Sequence, residues 1–287
     1  MEKFAVIDVG SNSVRLMVVA DGKVLYKTLD TTQLGEGLAA RPLLQKGAME
    51  RTAKAIARFF YQAKSEGADK VFAFATAAVR SAENRAEFLA LVKTLCGVEL
   101  EVVSGETEAE LGILGALGEE DGGIVDIGGA STEFIVRRGG KTVYEKSVDI
   151  GVVRLKDLCG RDLSALKEAA RKAIEKYGEV PREKQVYAIG GTATTLAALA
   201  LDLTEYDGKK VSGYRLTRAR VTELRERIAG TSVEELAARP CVPRKRAEVL
   251  LGGAVLLSEL MQAFDLPAVT VSDSDNLEGY AKKKGLL

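Results

Sequence analysis

Apolar residues in this chain come in short runs that stop at small or acidic residues, and those runs set the predicted elements. Residues 4–16 read FAVIDVGSNSVRL: an apolar run reaches Asp8, passes a small-residue turn at Gly10-Ser11-Asn12-Ser13, and becomes apolar again. That pattern predicts a strand, a tight turn and a second strand. Residues 22–29 predict a third strand, joined by an Asp21-Gly22 turn. Residues 33–44 show no period and predict a surface loop. Residues 49–65 place Ala53, Ile56, Phe60 and Ala63 at helical intervals, which predicts an amphipathic helix against a sheet. Residues 70–75 predict a short buried strand, residues 76–97 a helical run ended by Gly97, residues 98–103 a strand and residues 105–117 a helix.

At Asp121-Gly122-Gly123 the chain turns and the opening pattern returns as GIVDIGGASTEFIV. Asp126 stands 118 positions after Asp8, and Gly128 and Ser131 the same 118 after Gly10 and Ser13. Residues 140–148 then supply a third strand, as residues 22–29 do in the first half. We read this as a duplicated domain, each copy opening with a three-strand meander whose first bend is a phosphate loop. The boundaries that follow are 1–121 and 122–275, with the closing helix of about 276–287 returning to the first domain. The second half adds predicted helices at 153–158, 163–177, 215–227, 246–264 and 277–284. Its further strands are 185–189, which runs into Gly190-Gly191-Thr192, and 268–272. The expected fold class is α/β: two duplicated domains, each a mixed five-stranded sheet with helices on both faces, with the active site in the cleft between them.

Composition narrows the chemistry. The 287 residues balance 41 Lys plus Arg against 41 Asp plus Glu, so no overall field draws the chain to nucleic acid or membrane, and anion recognition must be local. Cys96, Cys159 and Cys241 follow no metal or disulfide spacing, which suits a reducing cytoplasm. No signal-peptide profile and no apolar run of membrane-spanning length is present, so a cytoplasmic location is expected. Histidine is absent. This removes Ser-His-Asp and Cys-His nucleophiles and leaves acid–base work to carboxylates, Lys, Tyr or a metal-bound water.

Against that background several stretches carry candidate chemistry, each with a structural alternative. The Asp8 and Asp126 turns can present N–H groups and hydroxyls to an anion while the aspartate faces a cation, although an aspartate and a glycine at a hairpin bend are also common. Gly190-Gly191-Thr192 at a strand-to-helix junction suits an anion at a helix N-terminus, or close packing. In Ser104-Gly105-Glu106-Thr107-Glu108, Ser104 can cap the helix, and either glutamate can serve as a general base or simply complement the helix dipole. Arg80 and Asn84, four apart, fall on one predicted helix face, where the arginine can take phosphate oxygens in a fork or lie on the surface. The Lys- and Arg-rich residues 209–246 and Lys282-Lys283-Lys284 read as solvated faces or a polyanion track.

Taken together, these stretches resemble the exopolyphosphatase/guanosine pentaphosphate phosphohydrolase (Ppx/GppA) family, within the actin, chaperone and sugar-kinase superfamily. DVGSNSVRL and DIGGASTEF resemble its two phosphate loops, ATAAVRSAEN its arginine-bearing segment and SGETEA its catalytic-glutamate segment; IGGTATTLA and VSGYRLT fall in the same order. The resemblance implies Glu108 as base with Arg80 at the terminal phosphate. It implies Gly10, Ser11, Asn12, Ser13, Gly128, Gly129, Ala130, Ser131 and the turn of Gly190, Gly191 and Thr192 around the phosphates. Asp8, Asp126 and Glu133 would take Mg²⁺ or Mn²⁺. The implied activity is Mg²⁺-dependent release of orthophosphate from inorganic polyphosphate. Alternatives are guanosine pentaphosphate hydrolysis, an actin-like small-molecule kinase and a non-catalytic alarmone sensor. Expected partners are polyphosphate or guanosine penta/tetraphosphate and a second copy in a homodimer, with no nucleic acid and no membrane. Gln33, Ser212 and Leu277 stand where the family commonly has a basic residue, a histidine and an arginine, which bears on substrate preference.

Overall fold

The hairpin predicted at residues 4–16 opens the computed structural model, which describes residues 2–287. Strands β1 (Lys3–Val9), β2 (Ser13–Ala20) and β3 (Lys23–Thr31) form an antiparallel meander. Helix α1 (Lys46–Ser65) then crosses to β4 (Lys70–Ala75), which pairs parallel to β1. After α2 (Ala77–Ser81) and α3 (Arg85–Cys96), β5 (Leu100–Val102) adds a further parallel strand, and α4 (Gly105–Ala116) follows. The sheet order is β3-β2-β1-β4-β5.

The two-residue period of the strands sorts their side chains between two cores. Ala5, Ile7 and Val9 of β1 join Ile56, Phe59 and Phe88 on the α1 and α3 face. Val6 joins Phe74, Leu111, Leu277 and Tyr280 on the other. Asp8 shares the alternation of Val6, so the end of β1 delivers its carboxylate to the face that α4 covers.

The second meander repeats the first in backbone detail. Strands β6 (Gly122–Ile127), β7 (Thr132–Arg138) and β8 (Lys141–Val148) pair with the register of β1, β2 and β3 shifted by the same 118 positions: Val9 faces Val14, and Ile127 faces Thr132. Even the β-bulge recurs, at Val18/Val19 in one copy and at Val136/Arg137 in the other. Helices α5 (Val152–Cys159) and α6 (Leu163–Ile174) lead to β9 (Val186–Ile189), which runs parallel to β6, and then to α7 (Gly190–Ala200) and α8 (Gly208–Val211). Strand β10 (Arg215–Thr217), α9 (Arg218–Ala229), α10 (Val233–Ala237), α11 (Arg244–Ala263) and β11 (Ala268–Val271) complete an order of β10-β11-β9-β6-β7-β8. This sheet therefore has six strands where five were expected. Residues 215–217, expected as the start of a helix, pair antiparallel with β11, and the helix starts only after Thr217 caps it by accepting from the Arg220 N–H. Helix α11 is apolar on nearly every side and forms the middle of this core, as an all-round apolar helix must.

Helix α12 (Asn276–Lys283) packs with the first unit, and the contacts divide the chain into residues 1–115 with 276–287 and residues 116–275. The closing lysines are committed to this return: Lys282 Nζ donates to Leu114 O at 2.7 Å, and Lys283 pairs with Glu110 at 2.8 Å.

Residues 33–44 form the expected loop, exposed at 40–43 and anchored by Leu34, Leu38 and Leu44 in the α1 core. One expectation needs correction. Residues 76–97 are not one helix. The chain turns extended at Ala82, and the Asn84 amide bonds both ways with the Leu44 backbone, at 2.9 and 3.0 Å. A side chain that binds backbone elsewhere competes with helix continuation, so Arg80 lies in α2, Asn84 precedes α3, and Asn84 serves the fold.

Candidate active site

In the first unit the site grows from the ends of three elements. Strand β4 ends at Ala75, and the following Thr76 and α2 bring Arg80 over the junction between β5 and α4. There Ser104 caps α4, accepting from the Thr107 N–H at 3.1 Å, so the first turn of the helix is fixed. This turn separates the two candidate glutamates. Glu106 is exposed, whereas Glu108 is 8% exposed and accepts from Arg80 Nη1 at 2.8 Å. Arg80 Nη1 also donates to Val103 O at 3.1 Å, which fixes the guanidinium against the strand end. Burial pushes the Glu108 carboxyl above its ordinary range; the charge and hydrogen bond of Arg80 oppose the rise, the negative charge of Asp8 adds to it, and the Thr76 hydroxyl, bonded to the carboxylate, opposes it. Asp8, Thr76, Arg80 and Glu108 thus form one electrostatic group.

The loop beside them is built around carbonyl contacts. Gly10 N–H closes the turn on Ser13 O at 3.0 Å. From outside, the N–H groups of Thr32 and Gln33 both reach Asn12 O, at 3.1 and 2.9 Å, and Gly35 N–H reaches Ser11 O at 2.8 Å. Arg51 of α1 holds this outer segment by donating to Thr32 O through Nε and Nη2 at 3.1 and 3.0 Å. Asn12 is 5% exposed, and neither its amide oxygen nor its amide nitrogen has a protein partner. A buried amide in that condition costs free energy unless a ligand or water meets it. Asp8 faces Arg15 across the hairpin, and Arg15 Nε donates to its carboxylate at 2.9 Å.

The second unit has the same loop with other side chains. Gly128 N–H closes on Ser131 O at 3.0 Å, as at Gly10. The outer clamp is now the start of α5: Val152 N–H reaches Gly128 O at 3.0 Å and Val153 N–H reaches Gly129 O at 2.9 Å. Gly151 permits it, since a Cβ there would stand 2.5 Å from the Gly129 carbonyl. Asp126 faces Glu133 across the hairpin, and Glu133 accepts from Ser147 Oγ at 2.6 Å. The Asp126 carboxylate lies over Gly190, which has φ +79° and leaves no room for a Cβ, 2.9 Å being all that would separate it from Oδ1. Asp126 and the Gly190-Gly191-Thr192 turn are therefore one site. The Thr192 side chain is buried against Gly253 of α11, so the residue has its backbone N–H to offer a ligand.

A profile described as the Ppx/GppA phosphatase family matches residues 7–283. The chain belongs to the Ppx/GppA phosphatase family. The protein named Exopolyphosphatase 2 of Mycobacterium tuberculosis is 32% identical over 313 aligned residues, covering 98% of this chain and 98% of that one. Among solved structures, a Ppx/GppA family member from Aquifex aeolicus superposes with a TM-score of 0.79 at 29% identity, covering 99% of this chain and 98% of that one. An exopolyphosphatase from Cytophaga hutchinsonii superposes with a TM-score of 0.85 at 25% identity, with the same coverage of 99% and 98%. The fold is thus the two-unit actin-like α/β fold of Ppx/GppA proteins, and the chain is an enzyme of that phosphoanhydride-hydrolase family.

In the second unit the hairpin donors suit a hard divalent cation. Asp126 and Glu133 face each other across the hairpin and are both oxygen donors. Among the described residues no three or more Asp, Glu or Cys side chains form a closed metal cage. Mg²⁺ fits such a set, because it takes one or two carboxylates and completes its octahedron with water and substrate phosphate oxygens. Sequence reasoning passed over Thr76, Arg15, Arg51 and Ser147. The hairpin register supplied a signal for one of them: with Val9 facing Val14, the residue opposite Asp8 has to be Arg15. Thr76, Arg51 and Ser147 gave none, because each acts through the fold.

Proposed function

We propose that this enzyme is a Mg²⁺-dependent exopolyphosphatase, which hydrolyses the terminal phosphoanhydride of inorganic polyphosphate and releases orthophosphate. The observation that carries the reading is the buried Glu108 carboxylate held at 2.8 Å by Arg80. In a chain without histidine, a desolvated carboxylate is the base able to orient and deprotonate water. Water then attacks the terminal phosphorus, the bond to the bridging oxygen breaks, and the shortened chain leaves with that oxygen. Arg80 stabilises charge on the transferred phosphoryl group as it moves. The Asn12 amide and the N–H groups of the loop around it hold phosphate oxygens. Asp126, with Glu133 beside it, would hold Mg²⁺ or Mn²⁺. When bound, the ion neutralises phosphate charge. The name of the M. tuberculosis relative supports this substrate.

The test is phosphate release from long-chain polyphosphate, tripolyphosphate and guanosine pentaphosphate, measured side by side with Mg²⁺. Release from polyphosphate with water alone is expected. Faster turnover of guanosine pentaphosphate would move the assignment to a nucleotide phosphohydrolase. Product formation only with an added acceptor would make the enzyme a kinase, and binding without turnover would make it a sensor.

A further inference from the structure

The cations around α5 have partners, with one exception. Lys156 pairs with Glu248 at 2.6 Å, and Arg161, just beyond the helix, donates through Nη2 to Ile228 O and Thr231 O at 2.8 and 2.7 Å, its Nη1 being buried without an acceptor. The Arg154 side chain makes no hydrogen bond or ion pair with any described residue, and its Nε is closed off from solvent with no acceptor. Its place is specific: it ends the backbone clamp on the second loop, its own N–H lying 3.3 Å from Gly129 O, directly after Val152 and Val153. In the first copy the corresponding position, 118 earlier, is Glu36, which is paired with Arg51 at 2.9 Å. The second copy therefore carries a base where the first carries a neutralised acid.

A buried guanidinium N–H without an acceptor is unfavourable in the empty protein. The cost is removed when an acceptor arrives from outside the chain, and beside a phosphate loop the acceptor matching a planar fork of donors is a phosphate group. We infer that Arg154 binds a second, non-reacting phosphate of an inorganic phosphate chain whose neighbouring phosphoryl group occupies the Gly128–Ser131 loop. Arg154 thereby sets the preference for chains over a single phosphate. The inference rests on the substrate reading above.

The experiment is isothermal titration of tripolyphosphate and of orthophosphate into the wild type, Arg154→Gln and Arg154→Lys, all in a Glu108→Gln background that prevents turnover, with melting temperatures recorded. For Arg154→Gln the expected result is tripolyphosphate affinity about tenfold weaker, the scale of one charge-assisted hydrogen bond. Orthophosphate affinity should move less than twofold, Arg154→Lys should recover part of the loss, and the melting temperature should be no lower than in the parent. In the active background the same change should raise KM about tenfold, with kcat within about twofold. Equal tripolyphosphate affinity, or an equal loss for both ligands, overturns the inference. So does a lowered melting temperature without an affinity change. Failure of the substrate reading shows elsewhere, as wild type that releases no phosphate from any polyphosphate, and the titration still decides Arg154.

Discussion

The two loops that follow Asp8 and Asp126 share a backbone and differ in charge across the hairpin. Gly10 and Gly128 close their turns on Ser13 and Ser131 at the same 3.0 Å, and the flanking strands keep one register and one bulge position. Yet the aspartate of the first loop faces Arg15, and that of the second faces Glu133. Cross-strand neighbours are close enough to decide the local charge. Across its hairpin one copy sets a guanidinium against its aspartate, and the other sets a second carboxylate there. On the proposed reading the duplication has kept the cradle and divided the chemistry: Glu108 and Arg80 lie in the first unit, and the Asp126–Glu133 carboxylate pair in the second.

The largest effect should come from removing what the second copy lacks. Glu108→Gln is expected to lower kcat about 10³-fold, with KM within a few-fold. Near-wild-type turnover would deny the first unit its separate role. Stability offers an independent check with a definite sign. A carboxyl whose folded pKa lies above its unfolded value binds its proton more tightly in the fold, so stability falls as pH climbs through that raised pKa. The wild type should lose stability relative to Glu108→Gln over that interval, seen in melting curves taken from about pH 4 upward.

Arg80→Gln should cost about 10²-fold in kcat. Without the guanidinium that opposes the rise, the Glu108 carboxyl moves further up, so the acid limb of the kcat profile should shift to higher pH. An acid limb that stays in place would mean that another group titrates there. The next effect sets one loop directly against the other. Asp126→Asn should raise the half-saturating Mg²⁺ concentration about tenfold, while Asp8→Asn should change it by less than about threefold. Equal shifts would erase the division between the copies.

The duplication was legible in the sequence because a strand, an acidic residue and a glycine turn are local features, and two copies at a fixed spacing reinforce each other. Glu108 and Arg80 were legible as residue types at strand ends, and the structure brings them together. The roles of the aspartates were less so. Asp8 and Asp126 look alike in sequence, and what separates them is the residue across the hairpin. Asn84 misled for a related reason: four-residue spacing to Arg80 assumes an unbroken helix, and the helix yields to the bonds between the Asn84 amide and Leu44. Strand β10 was missed because Arg215–Thr217 is too short to show a period.

The smallest predicted effect concerns how each cradle is held from outside. At the second loop the clamp is the first turn of α5, whose N–H groups bond Gly128 O and Gly129 O and whose position is set by helix packing. At the first loop it is the irregular segment Thr32-Gln33, with Gln33 at φ +52°, a left-handed conformation uncommon in a residue other than glycine. Arg51 supports this segment through two donors on Thr32 O. Lysine can place one donor there but cannot reproduce the fork. Arg51→Lys should therefore loosen the grip on Asn12 O, raising KM for polyphosphate about threefold and lowering stability by roughly 1 kcal/mol, about one hydrogen bond. Arg51→Ala should double the stability loss and raise KM further. If Arg51 served stability alone, the melting temperature would fall in both variants with KM unmoved. The first loop would then be as self-supporting as the second, and the contrast between the copies would lie in charge only.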